Sequence, residues 1–422
     1  MDSEQRVLNY MDENRQELFE CLSDLLKINT ENFITHGNEA ECADAVKKLY
    51  EGIGLETEQY YPDDYLKGHP AYLPGRGTDK RPNVGGVYRG TEGNKSVMVA
   101  AHMDTVEIGD PKDWSVDPLG GEIRDGRIYG RGSCDNKFGL ATGVFALKAI
   151  MECGLRLREN VILSAYCDEE DGGGNGTIAS CVKYPCDVYV NLDAGNSERE
   201  LWIASVGGQA LAAEIRAKEP QDSAALVVSG MNLLNEELEK FGQARREELG
   251  KNGFFAGSDI QRSAMRITCF SCGGGFDMAH GRVQFSFYTD RTKEEVWNEL
   301  HHIERRMREK LDGLGLVFDG FQEVSRYFDY KYADAEDPAV CLMAECASET
   351  SGNPIKKTGA CLSDLFLYME YGSPASFGYG IMRDFKLYGG AHQPDEYVDC
   401  VDFLNCTKAV ALFLMRWCGI EK

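Results

Sequence analysis

The stretch that most constrains the fold is Val97-Met98-Val99-Ala100-Ala101, which is apolar at every position and closes on His102 and Asp104. A strand with no polar face must be covered on both sides, which suits a central parallel strand with helices packed on either face. Short runs of the same kind recur at 160–167 and 187–192, and a first β-rich stretch covers 85–101. Between them the segment GLATGVFALKAIMECG at 139–154 has helical character, and this alternation predicts an α/β sheet with crossover helices. Residues i and i+2 at a strand end point the same way, so the His102 imidazole and the Asp104 carboxylate share one face. Open α/β sheets place their ligands at such C-terminal strand ends.

After about residue 205 the pattern changes. GGQALAAEIRAK reads as a strand, 230–251 as a charged helix, RSAMRITCFSCGG and RVQFSFYTDR as strands, and TKEEVWNELHHIERRMREKLDG as a second helix. Thr292 with Glu295 three residues on has the form of a capping box for that helix. From about 326 the first pattern resumes, with a helix at 338–350 followed by LSDLFLYMEYG and SPASFGYG. The expected organisation is a large α/β domain in two pieces, 1–205 and 326–422, with a small β/α sandwich at 206–325 inserted between them. The N-terminal segment predicts one amphipathic helix on Val7, Leu8, Leu18, Leu22, Leu25 and Leu26, and 61–83, with Pro62, Pro70 and Pro74, reads as a long surface loop.

Charge narrows the partners. The 422 residues carry a formal net charge of -24, which repels phosphate backbones and anionic membrane surfaces, so nucleic acid is not an expected partner. The N-terminal segment lacks the basic start and apolar core of a secretory signal, and no apolar run approaches the ~20 residues of a membrane span, so a cytoplasmic protein is expected. Fifteen scattered cysteines in a chain of this size are expected to be reduced. Neither Cys269 with Cys272 nor Cys181 with Cys186 has the second pair that a structural zinc site requires.

His102 has company downstream: Asp135 in YGRGSCDNKFG, Glu169 and Glu170 in CDEEDGGGNGT, Asp193 in NLDAG and His392 in GGAHQPDEYV. Singly each has a plainer reading, Asp135 as a turn residue, the glutamates as a solvated acidic loop, His392 as a surface histidine. Together, two imidazoles and several carboxylates at the ends of strands are what two divalent ions need: one bridging carboxylate, and for each ion one histidine and one further carboxylate. Adjacent glutamates have diverging side chains, so one can bind metal while the other serves as general base.

These motifs, in this order, resemble the signatures of the M20 family of di-zinc metallopeptidases, which includes carboxypeptidase, aminoacylase and succinyl-diaminopimelate desuccinylase types. The resemblance rests on the HxD at 102–104, WSVDP, GRIYGRG, DNKFG, DEEDGGGNGT, NLDAG, LSDLF and AHQPDEYV, and covers about 83–205 and 357–402. It implies a zinc-dependent exopeptidase-type three-layer α/β/α catalytic domain carrying a smaller, ferredoxin-like α+β lid through which the chain would form a homodimer. It implies two divalent ions, zinc first, with cobalt or manganese as alternatives. His102, Asp135 and Asp193 would hold one, and Asp135, Glu170 and His392 the other. Glu169 would be the general base, Asp104 would accept a hydrogen bond from His102, and a cis peptide would follow Asp135. The implied substrate is a small peptide or an N-acyl amino acid, cleaved at an amide. The sequence departs from the family in one respect: the lid segment GGQALAAEIRAKEPQDSAALVVSGMNLL has no histidine, where many members carry one that polarises the scissile carbonyl. His280 is the nearest lid candidate, His301 and His302 belong to a charged helix, and Arg383 either clamps a substrate carboxylate or pairs with Asp384. The alternative function is a catalytically impaired member that binds metal or ligand, or acts by assembly.

Overall fold

In the computed structural model the described residues are 2–195, 200–219, 224–274 and 279–421. They form two compact units, Met1–Ala204 with Tyr332–Lys422, and Ser205–Lys331. The first unit is built on a mixed nine-stranded sheet. Its order is β1 (Glu56–Tyr60), β2 (Asn83–Tyr88), β6 (Asn160–Tyr166), β3 (Ser96–His102), β7 (Val188–Asn191), β15 (Ser376–Tyr379), β8 (Glu200–Ser205) and β13 (Lys331–Tyr332), with β14 (Lys356–Ala360) beside β8. The four central strands β6, β3, β7 and β15 run parallel, whereas β1–β2, β2–β6 and β15–β8 are antiparallel. The expected stretch 85–101 is therefore two strands, the first turned against the sheet direction.

Both faces are covered, as the apolar run requires. Helix Lys137–Glu152, buried along most of its length, lies against Val99 and Ala101; it comes close because Gly139 presents no side chain, and a Cβ there would meet the Ala101 Cβ at 2.7 Å. Met98 and Ala100 face the other way into a cluster with Tyr166, Tyr189 and Tyr368. Strand β2 tolerates ring packing on both sides through a glycine pair, Gly86 against Tyr50 of helix Ala40–Gly52 and Gly85 against Tyr184. A three-stranded sheet, β16 (Tyr397–Asp399), β5 (Arg127–Tyr129) and β4 (Glu122–Arg124), completes this unit.

The second unit runs strand, helix, strand, strand, helix, strand: β9 (Gly207–Ala217), Ala224–Leu249, β10 (Met265–Gly273), β11 (His280–Thr289), Lys293–Asp312 and β12 (Leu316–Glu323). Its antiparallel sheet has the order β10-β11-β9-β12, a ferredoxin-like sandwich whose core interleaves Ile215, Val283, Phe285 and Phe287 with Leu234, Leu238, Leu300 and Met307 of the helices. The Thr292–Glu295 capping box is present.

Three expectations need correction. The N-terminal segment is two helices, Ser3–Glu13 and Arg15–Leu26, because Asn14 leaves the helical conformation and its side-chain amide donates to the Tyr10 carbonyl. The charged helix starts at Ala224, ahead of the expected 230. The segment 61–83 holds a short helix, Pro62–Leu66, and its return path buries Arg76, Thr78 and Arg81, so it is more than a surface loop. Its polarity misled: those side chains are satisfied inside the protein.

Candidate metal centre

Three parallel strands deliver their donors to one rim. His102 is the last residue of β3, Glu169 and Glu170 follow the end of β6, and Asp193 follows the end of β7. Asp135 precedes helix Lys137–Glu152, and the Asp135–Asn136 peptide is cis. His392 arrives from the C-terminal piece, in a left-handed backbone conformation (φ 61°) between β15 and β16.

Asp135 occupies the centre. Its Oδ1 lies 3.0 Å from His102 Nε2 and its Oδ2 lies 3.0 Å from His392 Nε2, so each carboxylate oxygen faces one imidazole. Glu170 Oε2 is 3.2 Å from His392 Nε2, and Asp193 Oδ1 is 3.9 Å from His102 Nε2. One potential ligand atom from each of His102, Asp135 and Glu170 fits within 4.8 Å, and the same holds for His102, Glu169 and Asp193. Asp193 Oδ1 is buried without a hydrogen-bond partner among the described residues, which fits a cation as its missing partner. Imidazole nitrogen and carboxylate oxygen, with no thiolate, suit zinc, cobalt or manganese.

The electrostatics agree with that fit. Burial pushes the Asp193 carboxyl up to about 8, with the Asp135 charge adding to it, and burial together with Asp193 holds Glu169 well above the usual carboxylate range. Burial also raises Glu170, against the pull of His392. For Asp135 burial acts in the same sense, but hydrogen bonds from both imidazoles outweigh it and hold the group below its ordinary value. Burial alone would lower the two imidazoles; the carboxylates around them raise both well above the usual histidine value. So many carboxylates crowded together favour a bound positive ion, which lets them all stay ionised.

The surroundings differ from expectation at Asp104. His102 Nδ1 lies 2.8 Å from the Asp104 backbone carbonyl and 3.8 Å from its carboxylate, so the backbone, not the side chain, orients the ring. The carboxylate is turned toward the backbone N–H groups of Glu169 and Glu170, at 3.0 Å each, and the Asn32 amide at 2.8 Å. Asn32, Arg76, Arg81 and Glu39 were not singled out from the sequence, because their partners lie tens of residues away. The signal available was polar residue types that fold to buried positions. Glu396 was missed likewise: it accepts from the backbone N–H groups of Cys134 and Asp135 and pairs with Arg131.

Within the first unit, Arg383 is not joined to this cluster. The Arg383 guanidinium stacks on Tyr397, 3.7 Å from the ring centroid, and is neither paired with Asp384 nor within hydrogen-bond distance of the metal-site donors. His280 opens β11 in the second unit and is exposed.

A profile of Peptidase family M20/M25/M40 matches residues 98–416. The chain is 23% identical over 466 aligned positions to an N-formyl-4-amino-5-aminomethyl-2-methylpyrimidine deformylase of Halalkalibacterium halodurans, covering 99% of this chain and 98% of the relative. It is 42% identical over 99 residues to a succinyl-diaminopimelate desuccinylase of Ruegeria, a stretch that is 23% of this chain and 25% of that one. The structure of a dipeptidase from Saccharomyces cerevisiae superposes with a TM-score of 0.73 at 16% identity, covering 99% of each chain. The chain belongs to peptidase family M20/M25/M40. It is a hydrolase of the metallopeptidase class, and a cluster of histidine, aspartate and glutamate side chains that could hold metal is present.

Proposed function

We propose that this protein hydrolyses an amide bond of a small peptide or an N-acyl amino acid, with two divalent ions, zinc in the first instance, held at the rim. The observation that carries the reading is the placement of Asp135, one oxygen toward each imidazole, with Glu169 grouped around the same His102 beside Asp193. His102, Asp135 and Asp193 would hold one ion, and Asp135, Glu170 and His392 the other. Bound there, the ions would polarise the scissile carbonyl and make the attacking water acidic near neutral pH. Glu169 accepts the proton of that water and passes it to the departing amine nitrogen. The relatives at comparable coverage bear names of deformylase and dipeptidase activities, which supports an amide as the bond cleaved.

The test is to add zinc, manganese or cobalt to the purified protein and assay dipeptides, tripeptides and N-acetyl amino acids. Glu169→Gln should lower kcat by roughly 10²–10⁴-fold with both ions retained. Absence of turnover on every substrate, with two ions bound, would overturn the hydrolase reading in favour of a binding role.

Two features of this reading concern the whole molecule. Strand β10 forms an edge of the small sheet and is exposed along nearly all its length, with Ile267 and Phe270 outward. An open edge presents unpaired backbone groups, which supports a homodimer made through the second unit. All fifteen cysteines are free thiols, which supports a reducing, cytoplasmic setting, and among the described residues no helix is long and apolar enough to cross a membrane.

A further inference from the structure

The bend that carries Glu169 and Glu170 is held on both edges of its peptide chain by residues from elsewhere. On one edge, the Asp104 carboxylate accepts from the N–H groups of Glu169 and Glu170. On the other, the Glu170 carbonyl accepts from Arg76 Nη2 at 2.9 Å and from Asn32 Nδ2 at 3.3 Å. Asn32 also donates to Asp104, so the two edges are tied to each other. Arg76 reaches further along the bend: its Nε donates to Asp168 at 2.8 Å, directly before Glu169. Arg81 fixes the same Asp168 at 3.1 Å and is locked in turn by Glu39. Arg76, Arg81, Glu39, Asp104 and Asp168 are all nearly solvent-free. The bend needs this support because Asp168 and Asp171 both adopt left-handed backbone (φ 65° and 59°), which costs a non-glycine residue of order 1 kcal/mol or more.

We infer that Arg76, together with Asn32, is a positioning residue that aims the Glu170 carboxylate at its ion and the Glu169 carboxylate at the attacking water, and that supplying it is a purpose of the 61–83 segment. The inference rests on the roles proposed above for Glu169 and Glu170. A guanidinium suits the task because its fork donates to a carboxylate and a carbonyl at once. Lysine, a single donor centre, keeps the charge but not the paired geometry.

The test uses two readouts, one of them independent of turnover. Cobalt(II) is titrated into the metal-free protein and followed by its visible absorption, and kcat and KM are measured on the best substrate. With Arg76→Ala, the ion that depends on Glu170 should bind 10–100-fold more weakly while the other changes less than about threefold, and kcat should fall by a similar factor with KM nearly unchanged. Arg76→Lys should lie between wild type and alanine. Tyr72→Phe is the control: it removes the hydrogen bond from Tyr72 to Asp63 in the same segment without touching the bend, and should leave both readouts at wild-type level. Equal weakening of both ions, or a Tyr72→Phe effect as large as that of Arg76→Ala, would overturn the inference, since either means general loosening. If no substrate is ever turned over, the cobalt titration still decides the positioning role, separately from the proposed hydrolysis.

Discussion

The two units of this protein are held together by different means. The inserted sandwich has one apolar core, in which residues of the three strands β9, β11 and β12 meet the inner stripes of two helices, and its buried side chains come from patterns visible over ten or twenty residues. The rim of the larger unit depends on polar pairs between remote segments: Arg81 with Glu39, Arg76 with Asp168, Asn32 with Asp104, Arg131 with Glu396. An apolar core tolerates local imperfection by partial collapse. A buried polar network does not, because removing one member leaves a charge without a partner. Geometry at the candidate metal centre is thus bought with fragility.

The sharpest way to break this contrast is Arg81→Met, which strands Glu39 and takes one partner from Asp168. Losing one member of a buried ion pair costs roughly 3–5 kcal/mol, and the loss should appear both as lower denaturant resistance and as weakened cobalt binding. If stability falls but metal affinity is untouched, the network is only a structural staple.

Phe285→Ala opens a cavity in the sandwich, where the ring is fully buried against Phe321. The cost should be about 3–4 kcal/mol by chemical denaturation, while cobalt affinity at the rim stays within about threefold of wild type. A metal defect from this substitution would erase the distinction between the units.

A smaller effect concerns pH. Hydrogen bonding from Arg306, aided by Lys240, holds the Glu237 carboxyl down at about 2 in the folded sandwich. A carboxyl depressed on folding stabilises above its unfolded value, ordinarily near 4.3, and loses that contribution as pH falls toward 2. Glu237→Gln should therefore lower Tm at pH 7 and converge with wild type between about pH 4 and pH 2. A difference constant across that range would show that charge is not the cause.

The same contrast explains what could be read from the sequence. The apolar run at 97–101 predicted a covered parallel strand, and β3 is one; the change of pattern near 205 predicted a small β/α sandwich, and the second unit has that architecture. Periodicity reports which side faces an apolar core, so these elements were legible. The strand-end positions of His102, Glu169, Glu170 and Asp193 were legible for the same reason. What stayed hidden was pairing at long range. Nothing local says that Arg76 meets Glu170, that the Asp104 carboxylate turns to two backbone N–H groups, or that Arg383 stacks on Tyr397. Asn14 was hidden for another reason: its backbone leaves the helical conformation, with its side-chain amide on the Tyr10 carbonyl, and divides what the apolar spacing drew as one helix.

The insertion also sets an order for biosynthesis. Strand β15, which pairs with β7, and His392, which faces Asp135, both follow the sandwich in the chain. A ribosome releases the sandwich whole before either emerges, so the edge of β7 waits without its partner for nearly two hundred residues of translation. A domain that folds as a unit would do so here while its host is still incomplete, and with His392 as a ligand, as proposed, metal loading would come late, after most of the polypeptide has been made.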